Sequence, residues 1–173
     1  MFAGLRCGKP LALRHFLVIA GCAVAAACTS ASYEAEAIQA SDSGDQKTAI
    51  RLAAKEVARF STPDQCSRTR ITNCGTLALA YSSLAQYQIL NGDRAAGESS
   101  FSSAKRALGW MDRQDRPGAT AMVYGDVSEA FWKVGDRARA VAVFNEGRAA
   151  GGDSWLFLVS AAKGASQEAA GAR

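Results

Sequence analysis

The stretch YGDVSEAFWKVGDRARAVAVF, residues 124–144, decides the fold of this chain. Tyr124 is followed eleven residues later by Gly135-Asp136, then by Ala140 and Phe144 at four-residue steps. The frame occurs twice upstream at identical spacing. Tyr81 precedes Gly92-Asp93, Gly97 and Phe101, and Tyr33 precedes Gly44-Asp45, Ala49 and Ala53. Glycine adopts φ > 0 without steric cost and so closes the helix before it. Aspartate then caps the next helix by accepting a backbone N–H of its first turn. The small residue four positions on (Ala49, Gly97, Ala140) lets the two helices approach closely. The frame therefore predicts an αα-hairpin with a tight turn, repeated three times.

Gly-Asp occurs five times in the chain, and Gly125-Asp126 and Gly152-Asp153 lie outside the frame. The tyrosines favour a repeat over a plain helical bundle with coincidental turns. Three of the four sit eleven residues before an in-frame pair.

At 173 residues the chain suits one domain. Its formal charge is +4, but three of its 20 basic residues are Arg6, Lys9 and Arg14 at the extreme N-terminus. Without them the charge is nearly balanced, so a basic nucleic-acid surface is not expected. The only histidine, His15, lies in the same segment. Its removal would exclude Ser-His-Asp and Cys-His catalysis and histidine-ligated metals. Asp112 and Asp115 lack the twelve-residue calcium-loop pattern. No catalytic residue, metal or cofactor is expected.

The N-terminus reads as an address. A basic start, an uncharged and mostly apolar run over residues 16–27, and the small residues Ala25-Ala26-Ala27 make a secretory signal peptide. Ala25-x-Ala27 suits ordinary signal peptidase and plain secretion. Small residues before Cys28 also resemble the lipobox of bacterial lipoproteins, although Ala25 stands where that family has Leu. Ile19-Ala20-Gly21-Cys22 resembles a lipobox too, with a shorter apolar core. Cysteine counting favours Cys28 as the lipidated residue, because it leaves Cys66 and Cys74 as an even pair. In an oxidising compartment such a pair reads as a disulfide. The lipobox resemblance, with Thr29 rather than Asp after the cysteine, implies the outer membrane facing the periplasm.

The domain reading is signal peptide over 1–27, tether over 28–32, helical repeats over 33–163 and a disordered tail over 164–173. Helices are predicted over 33–41, 46–60, 75–90, 93–110, 119–134 and 136–148. The first is short. The second carries Ile50, Ala53, Val57 and Phe60 on one face. The fifth carries Tyr124, Val127, Phe131 and Val134 at the same steps, although Asp126-Val127-Ser128-Glu129 also reads as a capping box that would start it late. A last helix over 154–163, with Trp155, Leu156, Leu158 and Val159, would cover the final repeat.

The second and third units resemble the tetratricopeptide repeat. Tyr81 and Tyr124 stand at the family's Trp, Leu84 and Val127 at its Leu, and Ala85 and Ser128 at its small residue. Phe131 matches its Tyr, whereas Gln88 does not. Gly97 and Ala140 match its first Ala, Phe101 and Phe144 its aromatic, and Ala104 and Gly147 its later Ala. The closing Pro is missing. The in-frame glycines are 48 and then 43 residues apart, against a family period of about 34.

The resemblance implies an all-α, short right-handed solenoid of about three hairpins with a C-terminal capping helix. Its groove would hold a protein or peptide partner in the envelope, at Ser82, Gln86, Ile89, Glu129, Trp132 and Lys133. Trp132 is the expected anchor. The function expected is a non-catalytic scaffold or assembly factor held to the membrane by a lipid. A structural subunit of a larger envelope complex and a cell-wall enzyme accessory subunit are the alternatives.

Overall fold

Three glycines on the left-handed side of φ space set the chain's course: Gly44 at +87°, Gly92 at +86° and Gly135 at +86°. The computed structural model describes residues 32–152, Leu156 and residues 159–171. The described residues are all-helical and contain seven α-helices. These are α1 (Tyr33–Asp42), α2 (Gln46–Phe60), α3 (Cys74–Leu90), α4 (Arg94–Trp110), α5 (Arg116–Lys133), α6 (Arg137–Gly147) and α7 (Ala161–Gly171). A π-type turn, Arg148–Gly152, continues α6 and ends at Gly151, where φ is +97°.

Each Gly-Asp turn is built alike. The glycine N–H donates three residues back and the aspartate N–H five residues back, as in Asp45 to Ala40, Asp93 to Gln88 and Asp136 to Phe131. This pairing satisfies the last carbonyls of the leading helix. The aspartate carboxylate then accepts the first-turn N–H of the partner helix: Thr48 at 3.0 Å, Ala96 at 3.1 Å and Arg139 at 3.1 Å. One Gly-Asp dipeptide thus forms each of the hairpins α1–α2, α3–α4 and α5–α6.

The hairpins pack in series. Each leading helix contacts its own partner and the next leading helix, so α1 touches α3 and α3 touches α5. The seam between the second and third hairpins is tight. The rings of Phe101 and Tyr124, both frame residues, meet edge to face at 5.1 Å. Phe101, Phe131, Val127 and Val143 are fully buried around it. Within each hairpin, small residues let the two helices approach closely. A Cβ on Gly147 would lie 2.6 Å from the Tyr124 Cβ, and one on Gly97 would lie 2.5 Å from the Ile89 side chain.

Between α2 and α3, the sulfurs of Cys66 and Cys74 are 2.06 Å apart, at disulfide distance. The loop they close is pinned internally by paired backbone hydrogen bonds between Ser67 and Arg70. Cys74 is fully buried and opens α3.

The structure corrects several boundaries. α5 begins at Arg116, three residues earlier than read, with Pro117 in the first turn where its missing N–H costs nothing. It runs unbroken through Gly125-Asp126, so the late, capping-box start is wrong. Val134 caps α5 and is 47% exposed rather than inward-facing. The residues read as a disordered tail from 164 onward are helical to Gly171, because the segment is rich in alanine and other good helix formers. Of the predicted final helix over 154–163, residues 154, 155, 157 and 158 lie outside the described residues; Leu156 is buried, and α7 starts at Ala161. The signal peptide over 1–27, Cys22, Cys28 and Trp155 lie outside the described residues. No helix among the described residues is long and apolar enough to cross a membrane.

Candidate functional site

The six residues expected to line one groove do not share one open surface. Ser82 is fully buried between α3 and α5. Its hydroxyl lies 3.2 Å from the Val123 carbonyl oxygen and 3.1 Å from Asp126 Oδ2. Ile89 is buried against Gly97 of its own hairpin. Trp132 is half-buried and packs toward Val141 of α6 and Gly164 of α7, with the Arg137 guanidinium 3.8 Å from its ring centre. Glu129 accepts the Ser160 N–H and hydroxyl, each at 3.0 Å, and so fixes the turn that opens α7. Gln86 is half-buried and Lys133 exposed. Four of the six are committed to holding the array together: Ser82 meets the next leading helix, Ile89 its own partner helix, and Glu129 and Trp132 the segment that opens and forms α7.

The polar groups buried between the leading helices include an acid and a phenol. Tyr87 of α3 is buried, which pushes its hydroxyl up to about 12, with further contributions from Glu34, Asp126 and Asp42. These three carboxylates, two from α1 and one from α5, therefore gather around one side chain of α3. Asp126 itself is pushed up to about 6, chiefly by burial; the Ser82 hydroxyl opposes the shift and Glu34 adds to it. A carboxylate inside a helix seam is costly to ionise, and Ser82 is its one hydrogen-bonding side chain among the described residues.

A second acidic feature lies between α1, α2 and α3. Glu34 and Ala37 of α1, Ala53 and Glu56 of α2, and Thr76 and Ser83 of α3 line a small cleft. Glu56 is 6% exposed, and its buried Oε2 accepts no hydrogen bond from the described residues. Arg59 approaches that oxygen only to 4.0 Å, beyond hydrogen-bonding range. The sequence held the signal. Glu56 sits three residues after Ala53 and directly before Val57, on the apolar stripe of α2, where a charged side chain is unexpected.

The opposite face is a ladder of charge between the trailing helices α4 and α6. Arg94 pairs with Asp136 at 2.6 Å, Arg139 with Glu98 at 2.7 Å, and Lys105 with Glu146 at 2.8 Å. Arg139 holds Glu98 below the usual carboxylate range through its hydrogen bonds. Glu146 also reaches the Tyr124 hydroxyl at 3.4 Å. Nothing in this set pairs a nucleophile with a base, and no group of three or more His, Cys, Asp or Glu among the described residues is placed to hold a metal.

No protein-family model, no curated protein and no solved structure matches the chain.

Proposed function

We propose that the chain is a non-catalytic interaction scaffold of the bacterial envelope, tethered by a lipid at Cys28. Its hairpins would form a short right-handed solenoid of the tetratricopeptide kind that docks a protein partner. The observation that carries this reading is the serial packing of α1, α3 and α5, which leaves a multi-helix face too broad for a single hairpin to offer. Glu34 and Asp42 of α1 are exposed beside it, and the partner segment proposed for it is basic. Gln86 and Met122 replace Trp132 as the side chains that meet it; Met122 is 56% exposed.

The test is positional. A photo-cross-linking amino acid at Gln86 or Met122, in the protein expressed in bacterial envelopes, is expected to yield one shared partner adduct. The same group at Ser102, on the outer side of α4, is expected to yield none. Indistinguishable patterns at all three positions would remove the docking face.

One observation favours a second reading, a structural subunit held by its surface. Gly118, Ala121, Met122, Gly125 and Val159, with Asp126, line a broad and mostly apolar depression of about 430 Å³. A larger complex would cover such a depression, and its dissociation by mild detergent would expose it.

A further inference from the structure

The cleft between α1, α2 and α3 measures about 40 Å³, room for on the order of three water-sized groups. Its walls divide by chemistry. Ala37, Ala53, Leu79 and Ala80 supply carbon, Glu34 and Glu56 carboxylates, and Thr76 and Ser83 hydroxyls. Glu56 is the fixed acceptor, buried on the apolar stripe of α2. Its Oε2 has no hydrogen-bond donor among the described residues. Neither cation of the same helix turn donates to that oxygen: Arg59 pairs with it only at 4.0 Å. Lys55 lies over the Tyr33 ring at 5.2 Å, and the Arg59 side chain is 50% exposed. A buried carboxylate oxygen calls for a donor, and a charged donor most of all.

We propose that this cleft binds a primary alkylammonium group, the head of a lysine side chain, with Glu56 as its buried acceptor and Glu34 as its second. An ammonium concentrates three donors in one small head. Its unbranched stem suits walls of alanine and leucine, as long basic side chains lay their methylenes on carbon. A guanidinium spreads five donors over a broad plane and so matches one buried carboxylate oxygen less well than a compact ammonium head. The inference deepens the docking reading by giving the partner a lysine, and rests on that reading only for the source of the amine.

The experiment is a titration of the detergent-solubilised full chain, followed by the methyl resonances of Ala37, Ala53 and Ala80. The probes are n-butylamine and Nα-acetyl-lysine methylamide, with the Nε-acetylated and arginine analogues as controls. Saturable shifts are expected with both amines and none with the controls. Glu56→Gln is expected to weaken binding about tenfold, the loss of one charge-assisted hydrogen bond. Glu34→Gln, an exposed change that leaves the fold alone, is expected to weaken it less. Tighter binding of the lysine derivative would point to a partner's side chain, and equal binding to free amines. Shifts that do not saturate, or an unchanged affinity in Glu56→Gln, would overturn the cleft. Failure of the docking face would show separately, in the cross-linking pattern at Gln86 and Met122.

Discussion

Arg139 donates two hydrogen bonds to Glu98, at 2.7 and 2.8 Å, across a separation of 41 residues. Lys105 and Glu146 are joined over the same separation. These offsets sit close to the 43 residues between Gly92 and Gly135, so the ladder locks one hairpin to the next in the register of the repeat. Both partners are partly exposed, with side-chain exposures of 25% and 33%, so solvent screens the pair. A double-mutant cycle of Glu98→Gln and Arg139→Gln is expected to give a coupling of about 0.5–1 kcal/mol, falling in high salt. The lowered pKa of Glu98, held down by the Arg139 hydrogen bonds, adds a sign. Its contribution is present above the ordinary glutamate range and lost as pH falls through the lowered folded value. A coupling that persists unchanged in acid would contradict the pairing.

Asp126 carries the opposite sign. Burial raises it from 3.8 to about 6, so the folded state prefers it protonated. Stability from the neutral group is complete below about 3.8 and is lost as pH rises through about 6. The full penalty is on the order of 3 kcal/mol. Asp126→Asn keeps the shape without the charge. The variant is expected to unfold at higher denaturant than the parent at pH 8, and at nearly the same denaturant at pH 4. Equal stability at both pH values would mean that Asp126 is better solvated than its contact with Ser82 implies.

The hairpins were legible and the surface was not, for one reason. A turn is local: Gly135 and Asp136 need only their own helices to state what they do. A leading-helix face depends on what the next hairpin places against it. Ser82 is a small polar residue beside Tyr81, and only Asp126 and Val123 explain its burial. Trp132 reads as an anchor until Val141 and Gly164 are beside it. Positions carried over from a 34-residue repeat also assume its stacking, and here the spacing is 43 or 48. α7 was missed because a run of alanines lacks the large apolar residues that mark a buried face, although its propensity was plain.

Two glycines at different repeat positions predict unequal costs. A Cβ on Gly147 would meet the Tyr124 Cβ at 2.6 Å, close to rigid backbone, and Leu156 at 2.8 Å. Gly147→Ala is expected to destabilise by about 2–3 kcal/mol through overpacking. At Gly97 the nearest contact is the Ile89 side chain, which can turn aside in part, so Gly97→Ala is expected to cost about 1 kcal/mol. Chemical unfolding of the two variants in parallel checks the order. A reversed order would place the tight seam within the second hairpin instead of beside Tyr124.

The last prediction joins the loop to the address. Cys66 and Cys74 are separated by 8 positions, so their bond constrains a short loop and is expected to contribute about 2 kcal/mol. Reduction should lower the melting temperature without abolishing the fold, since the burial of Cys74 is also held by α3. An intact mass of the protein from bacterial membranes, before and after reduction and alkylation, reads both claims at once. A chain starting at diacylglyceryl-Cys28, with one alkylatable pair appearing only after reduction, would support the membrane tether and an oxidising compartment together. A full-length chain with reactive thiols would separate them. The helices and their ladder would stand, because nothing in the Gly-Asp turns depends on export, but a scaffold without a tether would have to find its partner elsewhere.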